Sequence, residues 1–276
     1  MVRQKRLAKN VILGVILTSA LIILLFPYIW NISMSLKPGR EMATGTLFPK
    51  HPTFEHYRAF FQRGNLVRPL LNSFMVSACT GLLATGFSFL AAYAIVRFSF
   101  VGKAAVFQTI IGAQFIPLSS VVIPFYLLLY RLKLLDTVVG LTIVYLVYCV
   151  PFATWLLIGF LQKIPKDFEE AAQVDGCSRL GALFKVVLPI ARPGIFVTFV
   201  FVFIKAWQEY LAAVMLTATD RARTLPVVLG GLQTQTSFEF GTMMAGVVIA
   251  GLPVLLAFMF LNKWFLKGMV GGGVKG

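Results

Sequence analysis

Apolar stretches of about 18 residues or more, carrying few or no charges, recur along this chain, and each would cross ~30 Å of hydrocarbon as a helix. Their positions predict six transmembrane helices near 11–36, 70–96, 104–130, 138–162, 192–217 and 244–266. The expected fold is all-α, a single polytopic membrane domain over residues 1–276. Charged residues make up only 13% of the chain and its mean hydropathy is +0.85, whereas soluble domains carry about 25% charged residues. A water-soluble fold is excluded.

The net charge of +15 would suit nucleic acid, but most of the basic residues lie in short segments between apolar runs, where they act as membrane-flanking anchors. No nucleic-acid partner is expected; the lipid bilayer is. Six spans put both termini on one side. With that side cytoplasmic, the inner segments hold 14 Lys and Arg and the outer ones 10, a modest positive-inside bias. The basic start followed by an apolar stretch resembles a signal peptide, yet the run from Val11 to about Leu36 is too long for one and is expected to be retained as the first span. Cys79, Cys149 and Cys177 stand far apart without metal-type spacing and are expected to be reduced thiols.

Between spans four and five lies a segment over 163–191, with four of the ten acids, Asp167, Glu169, Glu170 and Asp175, inside nine positions. Pro165 suits a first helical turn, the acids favour the positive end of a helix, and Gly176 is placed to end it. Ser178 then caps a second helix with Leu180, Leu183, Phe184 and Val187 on one stripe, until Pro189 and Pro193 intervene. A helix, a glycine turn and an amphipathic helix are predicted. The element is too short to span a bilayer. It would either dock on a protein at the cytoplasmic surface or lie on lipid, and acids at its start would be repelled by an anionic leaflet.

The run Glu170-Ala171-Ala172-Gln173-Val174-Asp175-Gly176, continuing to Leu188-Pro189 and Pro193, resembles the EAA loop of ABC importer permeases. Phe115-Ile116-Pro117 with Ile123-Pro124, Trp207-Gln208-Glu209-Tyr210-Leu211 and the ending from Gly268 to Gly276 resemble the six-span partner subunit of maltose-type importers. Cys177 and Gln208 stand where that family usually has Ala and Asn. The resemblance implies a type I importer fold whose EAA loop is a cytoplasmic coupling helix. Its contacts to the ATPase would be Glu169, Glu170, Ala171, Ala172, Asp175 and Gly176, joined by Lys275 of the tail. It further implies an inner-membrane permease for a sugar, polyol or sugar phosphate. The implied partners are a second permease, two copies of a cytoplasmic ABC ATPase and an extracytoplasmic solute-binding protein.

Within the spans, Lys205 and Glu209 lie four apart and are expected to share a helical face. They would line a hydrated translocation path or form a buried pair that fixes packing. Gln114, Ser119 and Ser120, beside Pro117 and Pro124, and Gln208 are further candidates for the path; amides and hydroxyls suit a neutral sugar and equally hold membrane helices together. The outer loop near 218–242, with Gln233 to Ser237, would touch a partner or simply connect.

No G-x-x-x-x-G-K-[ST] loop is present, so ATP and Mg are expected on partner ATPase subunits and no cofactor on this chain. His51 and His56 have no acid or Cys cluster around them and are expected to be surface histidines. No nucleophile or acid–base constellation points to an enzyme. The rival readings are a permease for a non-sugar solute and an ion-coupled transporter using Glu209.

Overall fold

The computed structural model describes residues 2–62, 66–232 and 237–272. Every regular element among them is helical: α1 Val2–Ser35, a 3-10 turn Gly39–Thr44, α2 Glu55–Gln62, α3 Val67–Arg97, α4 Lys103–Ala113, α5 Leu118–Arg131, α6 Val138–Leu161, α7 Asp167–Val174, α8 Arg179–Ala182, a π turn Leu183–Val187, α9 Leu188–Trp207, α10 Leu211–Leu216, α11 Leu225–Gly231 and α12 Ser237–Gly272. Five of these runs are long and apolar enough to cross a membrane: Ile12–Ser35, Val67–Arg97, Val138–Leu161, Arg179–Trp207 and Phe240–Met259. The stretch expected as a third continuous span is two helices, α4 and α5, bent by 97°. Pro117 explains the break, because it has no N–H to continue the ladder and sits at φ −68°, ψ 140°, ahead of α5. Pro124 and Pro151 instead lie inside α5 and α6 without ending them.

Two compact units divide the chain. The first comprises residues 1–67 and 229–253. Over its apolar window α1 buries none of its side chains against the chain itself, so lipid or another protein is its solvent. The segment after it is a folded excursion whose polar groups satisfy one another. The buried Lys37 ammonium donates to the Thr46 carbonyl and sits 5.6 Å from the Trp30 ring centre. His51 donates through Nδ1 to Glu41 at 2.6 Å. That hydrogen bond holds the Glu41 carboxyl below its ordinary range, against partial desolvation and with help from the amides of Lys50 and His51. His56 was expected at the surface. It is fully buried, its Nε2 2.8 Å from the Lys37 carbonyl, because α2 turns Phe60 and His56 inward on the same stripe.

The second unit, residues 68–228 and 254–276, holds α3 to α10. Its main core joins Val76 of α3, Leu129 of α5, Leu141 and Tyr145 of α6 and Ala212 of α10. A second core, at the end nearer α7, joins Phe89 and Tyr93 of α3 with Leu157 and Leu161 of α6 and with Leu183 and Val187. Helices α6 and α9 approach closely where Gly194 faces Phe160: a Cβ there would stand 2.6 Å from the ring. Gly194→Val is therefore expected to force the helices apart at a cost of about 1–3 kcal/mol, read as a lower melting temperature of the purified protein in detergent.

At the other end of this unit, Asp136, in the turn before α6, accepts from the amides of Ala218 (2.7 Å) and Thr219 (3.0 Å) and from the Thr219 hydroxyl (2.6 Å). Asn72 donates to the carbonyls of Asp220 and Arg223, and Ser73 accepts the Leu225 amide at 2.8 Å. The loop after α10 is thereby braced to α3 and to the start of α6. Partial burial raises the Asp136 carboxyl, but the Thr219 and Ala218 hydrogen bonds outweigh it and leave it below its ordinary value. A carboxyl depressed in the folded state gives stability that is complete above the unfolded value of about 3.9 and is lost as pH falls through the folded one. Asp136→Ala is expected to lower the melting temperature at pH 7, and the difference from the parent should shrink in acid below about pH 4.

Candidate functional site

The polar segment between α6 and α9 builds an elbow. Asp167, Glu169 and Glu170 fill the first turn of α7, where carboxylates meet the positive end of the helix. The helix ends in a Schellman turn: the Cys177 amide donates back to Ala172 at 2.9 Å and Gly176 takes φ +88°, a left-handed conformation that glycine adopts without a Cβ penalty. Ser178 then accepts the Gly181 amide at 3.1 Å and starts α8. The predicted helix, glycine turn and second helix are all present.

One expectation for the second helix is corrected. Pro189 and Pro193 do not end it; the chain passes through the π turn Leu183–Val187 into α9 as one helical run. The wide turn, in which the Leu188 amide bonds back to the Leu183 carbonyl, is where the continuous run takes in Pro189, whose missing N–H and ring would disrupt a regular i→i−4 ladder. The expected stripe also divides. Leu183 and Val187 are buried, while Leu180 and Phe184 are 67% and 53% exposed.

The acids of α7 likewise divide. Glu169 faces inward, accepting from the Tyr93 hydroxyl at 2.8 Å and from Nε of Arg97. Nη2 of Arg97 donates in turn to the Ile164 carbonyl at 2.9 Å, so one guanidinium fastens both the linker and α7 to the end of α3. Glu169, expected as a contact for another protein, is consequently an internal anchor. Glu170, Ala171, Asp175 and Gly176 are exposed and Ala172 is half-buried. Phe168 and Val174, 53% and 87% exposed, place bare apolar surface beside them. A polar cleft of about 200 Å³ opens next to the elbow, with Arg97, Lys166, Glu170, Gln173 and Arg179 in its walls.

Arg97 and Tyr93 were not singled out from sequence. A basic residue at the end of an apolar run looks like any interfacial anchor; the distinguishing signal was its neighbour Tyr93, one helical turn earlier, giving two donors on one face.

In the membrane-spanning part the expected Lys205–Glu209 pair is absent. Helix α9 stops at Trp207, so the four-residue spacing no longer sets a shared face. Glu209 turns toward α10, accepting the Ala212 amide at 2.9 Å, the Ala213 amide at 3.1 Å and the Tyr145 hydroxyl at 2.5 Å. Lys205 points to the rings of Tyr148 and Phe152, 4.0 and 5.3 Å from their centres. The span expected over 192–217 thus begins earlier, at Arg179, and breaks at Gln208. Gln208 is exposed, as are Ser119 and Ser120 in the first turn of α5, and Gln114 lies half-buried in the α4–α5 bend. The structure therefore does not gather the six polar candidates into one cluster of mutual hydrogen bonds. Lys275 and the loop from Gln233 to Thr236 lie outside the described residues. The three cysteines are free thiols.

Comparison with known proteins places this geometry. Residues 84–271 match the family described as binding-protein-dependent transport system inner membrane component. The chain is 35% identical over 254 residues to the sulfoquinovosyl glycerol transport system permease protein SmoH of Agrobacterium fabrum, covering 91% of this chain and 89% of that one. It is 33% identical over 254 residues to the trehalose transport system permease protein SugB of Mycobacterium tuberculosis, covering 91% and 93%. Its fold matches a chain in the crystal structure of a bacterial ABC transporter that imports the acidic polysaccharide alginate, with a TM-score of 0.80 at 25% identity over 93% of this chain and 96% of that one. A helical chain with this many apolar spans, matching the family over most of its length, belongs to the inner-membrane components of binding-protein-dependent transport systems.

Proposed function

We propose that this chain is the permease subunit of an ATP-binding-cassette importer for a sugar or a related polyol or sugar phosphate, and that α7 is its coupling helix. The observation that carries the reading is the elbow: an exposed acidic and apolar face, Phe168, Glu170, Ala171 and Val174, mounted on a buried Arg97–Glu169 anchor. Apolar surface beside charge, outside the lipid-facing spans, calls for a protein partner. Two cytoplasmic ATPase subunits fit that role, with ATP and Mg on them; Ala171 and Ala172 would permit close approach and Glu170 would meet a base. A second permease completes the pathway and an extracytoplasmic binding protein delivers the solute. Lys275 would add a tail contact to the ATPase. Both termini would then be cytoplasmic, and residues 1–276 one permease domain.

Relatives named for sulfoquinovosyl glycerol and trehalose, and a structural neighbour that imports alginate, support a saccharide class. The ion-coupled alternative loses its best residue, because Glu209 is engaged by three donors at the start of α10. The test is reconstitution with the neighbouring transport subunits: ATP-dependent uptake that stops with an ATPase-dead partner is expected. Uptake that survives ATP depletion and collapses with an uncoupler would overturn the reading.

A further inference from the structure

Lys205 is a cation in a membrane-spanning helix with no acid partner and no hydrogen-bond acceptor among the described residues. Its contacts are two ring faces, Tyr148 at 4.0 Å and Phe152 at 5.3 Å. Tyr148 stands ten residues into α6, about 15 Å along the helix, which is close to half the ~30 Å hydrocarbon depth. Ring faces offset part of the charge, yet the three N–H donors of the ammonium stay unused. Such a group persists at that depth only where water or an anion reaches it.

Its surroundings say which anion. Tyr148, Phe152 and Trp155 fall at i, i+4 and i+7 on α6, and Phe201 and Lys205 lie four apart on α9, so each set shares a face. Gln208 caps α9 directly after them, its backbone amide donating to the Ile204 carbonyl at 3.0 Å. The two faces adjoin, with the ring centres of Phe152 and Phe201 6.4 Å apart; within the α6 face, Phe152 and Trp155 are 6.2 Å apart. Trp155 and Phe201 remain 46% and 42% exposed. Aromatic platforms with one amide and one ammonium offer flat apolar contact to a pyranose ring, a hydrogen bond to its hydroxyls and a counter-charge. Glu209 forms no ion pair with Lys205, its oxygens being taken by the Tyr145 hydroxyl and the amides of Ala212 and Ala213.

We propose that this face is a substrate site for an anionic saccharide, one bearing a carboxylate, sulfonate or phosphate, with Lys205 as its charge-selecting residue. The inference rests on the permease reading above and narrows its solute class. A carboxylate from the second permease is the competing occupant.

The experiment uses the complete importer in proteoliposomes, with a uronic-acid disaccharide, a hexose phosphate and a sulfonated hexose as probes beside their neutral parents. Binding-protein affinity for each is measured separately. The parent protein should carry an anionic probe; Lys205→Gln should cut that uptake by at least about tenfold while uptake of any neutral probe falls far less, Lys205→Arg should restore most of it, and the complex should still assemble with all its subunits. Uptake confined to neutral probes, an equal loss for neutral and anionic probes, or a Lys205→Gln complex that sheds its second permease would overturn the proposal while leaving ATP-driven import intact. Absence of ATP-dependent uptake for every probe would sink the permease reading and this one with it.

Discussion

Gly176→Pro is expected to abolish ATP-dependent uptake and recovery of the ATPase subunit with this chain, while leaving the protein in the membrane. Gly176 sits at φ +88° and its amide donates to Gln173 at 3.0 Å. Proline fixes φ near −65° and has no N–H, so both the left-handed turn and its hydrogen bond are lost and α7 can no longer fold back against α8. Nothing stands within 4 Å of a Cβ at this position, so Gly176→Ala tests conformation alone and should show an intermediate loss, with a folding cost of about 1–2 kcal/mol. Glu170→Arg should match the proline variant in ATPase recovery but not in stability, because Glu170 is exposed and surface changes usually stay within about 0.5 kcal/mol. Normal uptake by both Gly176→Pro and Glu170→Arg would remove α7 from the mechanism. The measurements are ATP-driven uptake, co-purification and melting temperature on the same preparations.

The second large effect is expected at Arg97. Its side chain and that of Glu169 are 8% and 7% exposed, so Arg97→Ala leaves a buried carboxylate without its countercharge, a change that costs about 3–5 kcal/mol. Arg97→Lys should recover only part of this, since a lysine cannot hold Glu169 and the Ile164 carbonyl at once as the guanidinium fork does. Tyr93→Phe removes one donor and should cost about 1–3 kcal/mol. Transport measured beside stability separates two roles: if α7 is fastened to α3 to carry force, Arg97→Lys should hydrolyse ATP at near-parental rate yet import several-fold less solute. Equal loss of both rates would reduce the anchor to a folding element.

Much of this architecture is legible in the residues. The apolar runs mark the spans because lipid admits few alternatives to a helix, and the elbow is written in Pro165, the first-turn acids, Gly176 and Ser178, each of which has a local physical job. What sequence misplaces are features decided by long-range partners. Glu169 and Glu170 are chemically identical and adjacent; only the position of α3 decides that the first is an anchor and the second a face. Lys205 and Glu209 look paired as long as the helix is assumed to continue, and the hydroxyl of Tyr145, 64 residues away, draws Glu209 toward α10. Prolines are ambiguous for the same reason: Pro117 breaks a helix, whereas Pro124, Pro151 and Pro193 sit within one. His56 is buried by α2, an element too short for its periodicity to decide which side faces in.

The 97° bend between α4 and α5 bears on the lipid as well as the protein. At 11 and 14 residues the two arms reach about 16 and 21 Å, and neither alone matches a hydrocarbon slab of ~30 Å. Since perpendicular arms cannot both follow the bilayer normal, acyl chains beside them must shorten or tilt to meet a truncated wall, at a fraction of a kcal/mol per Å of mismatch. This flank should therefore collect short-chain or disordered lipids, and membrane thickness itself becomes a variable to which the transporter responds.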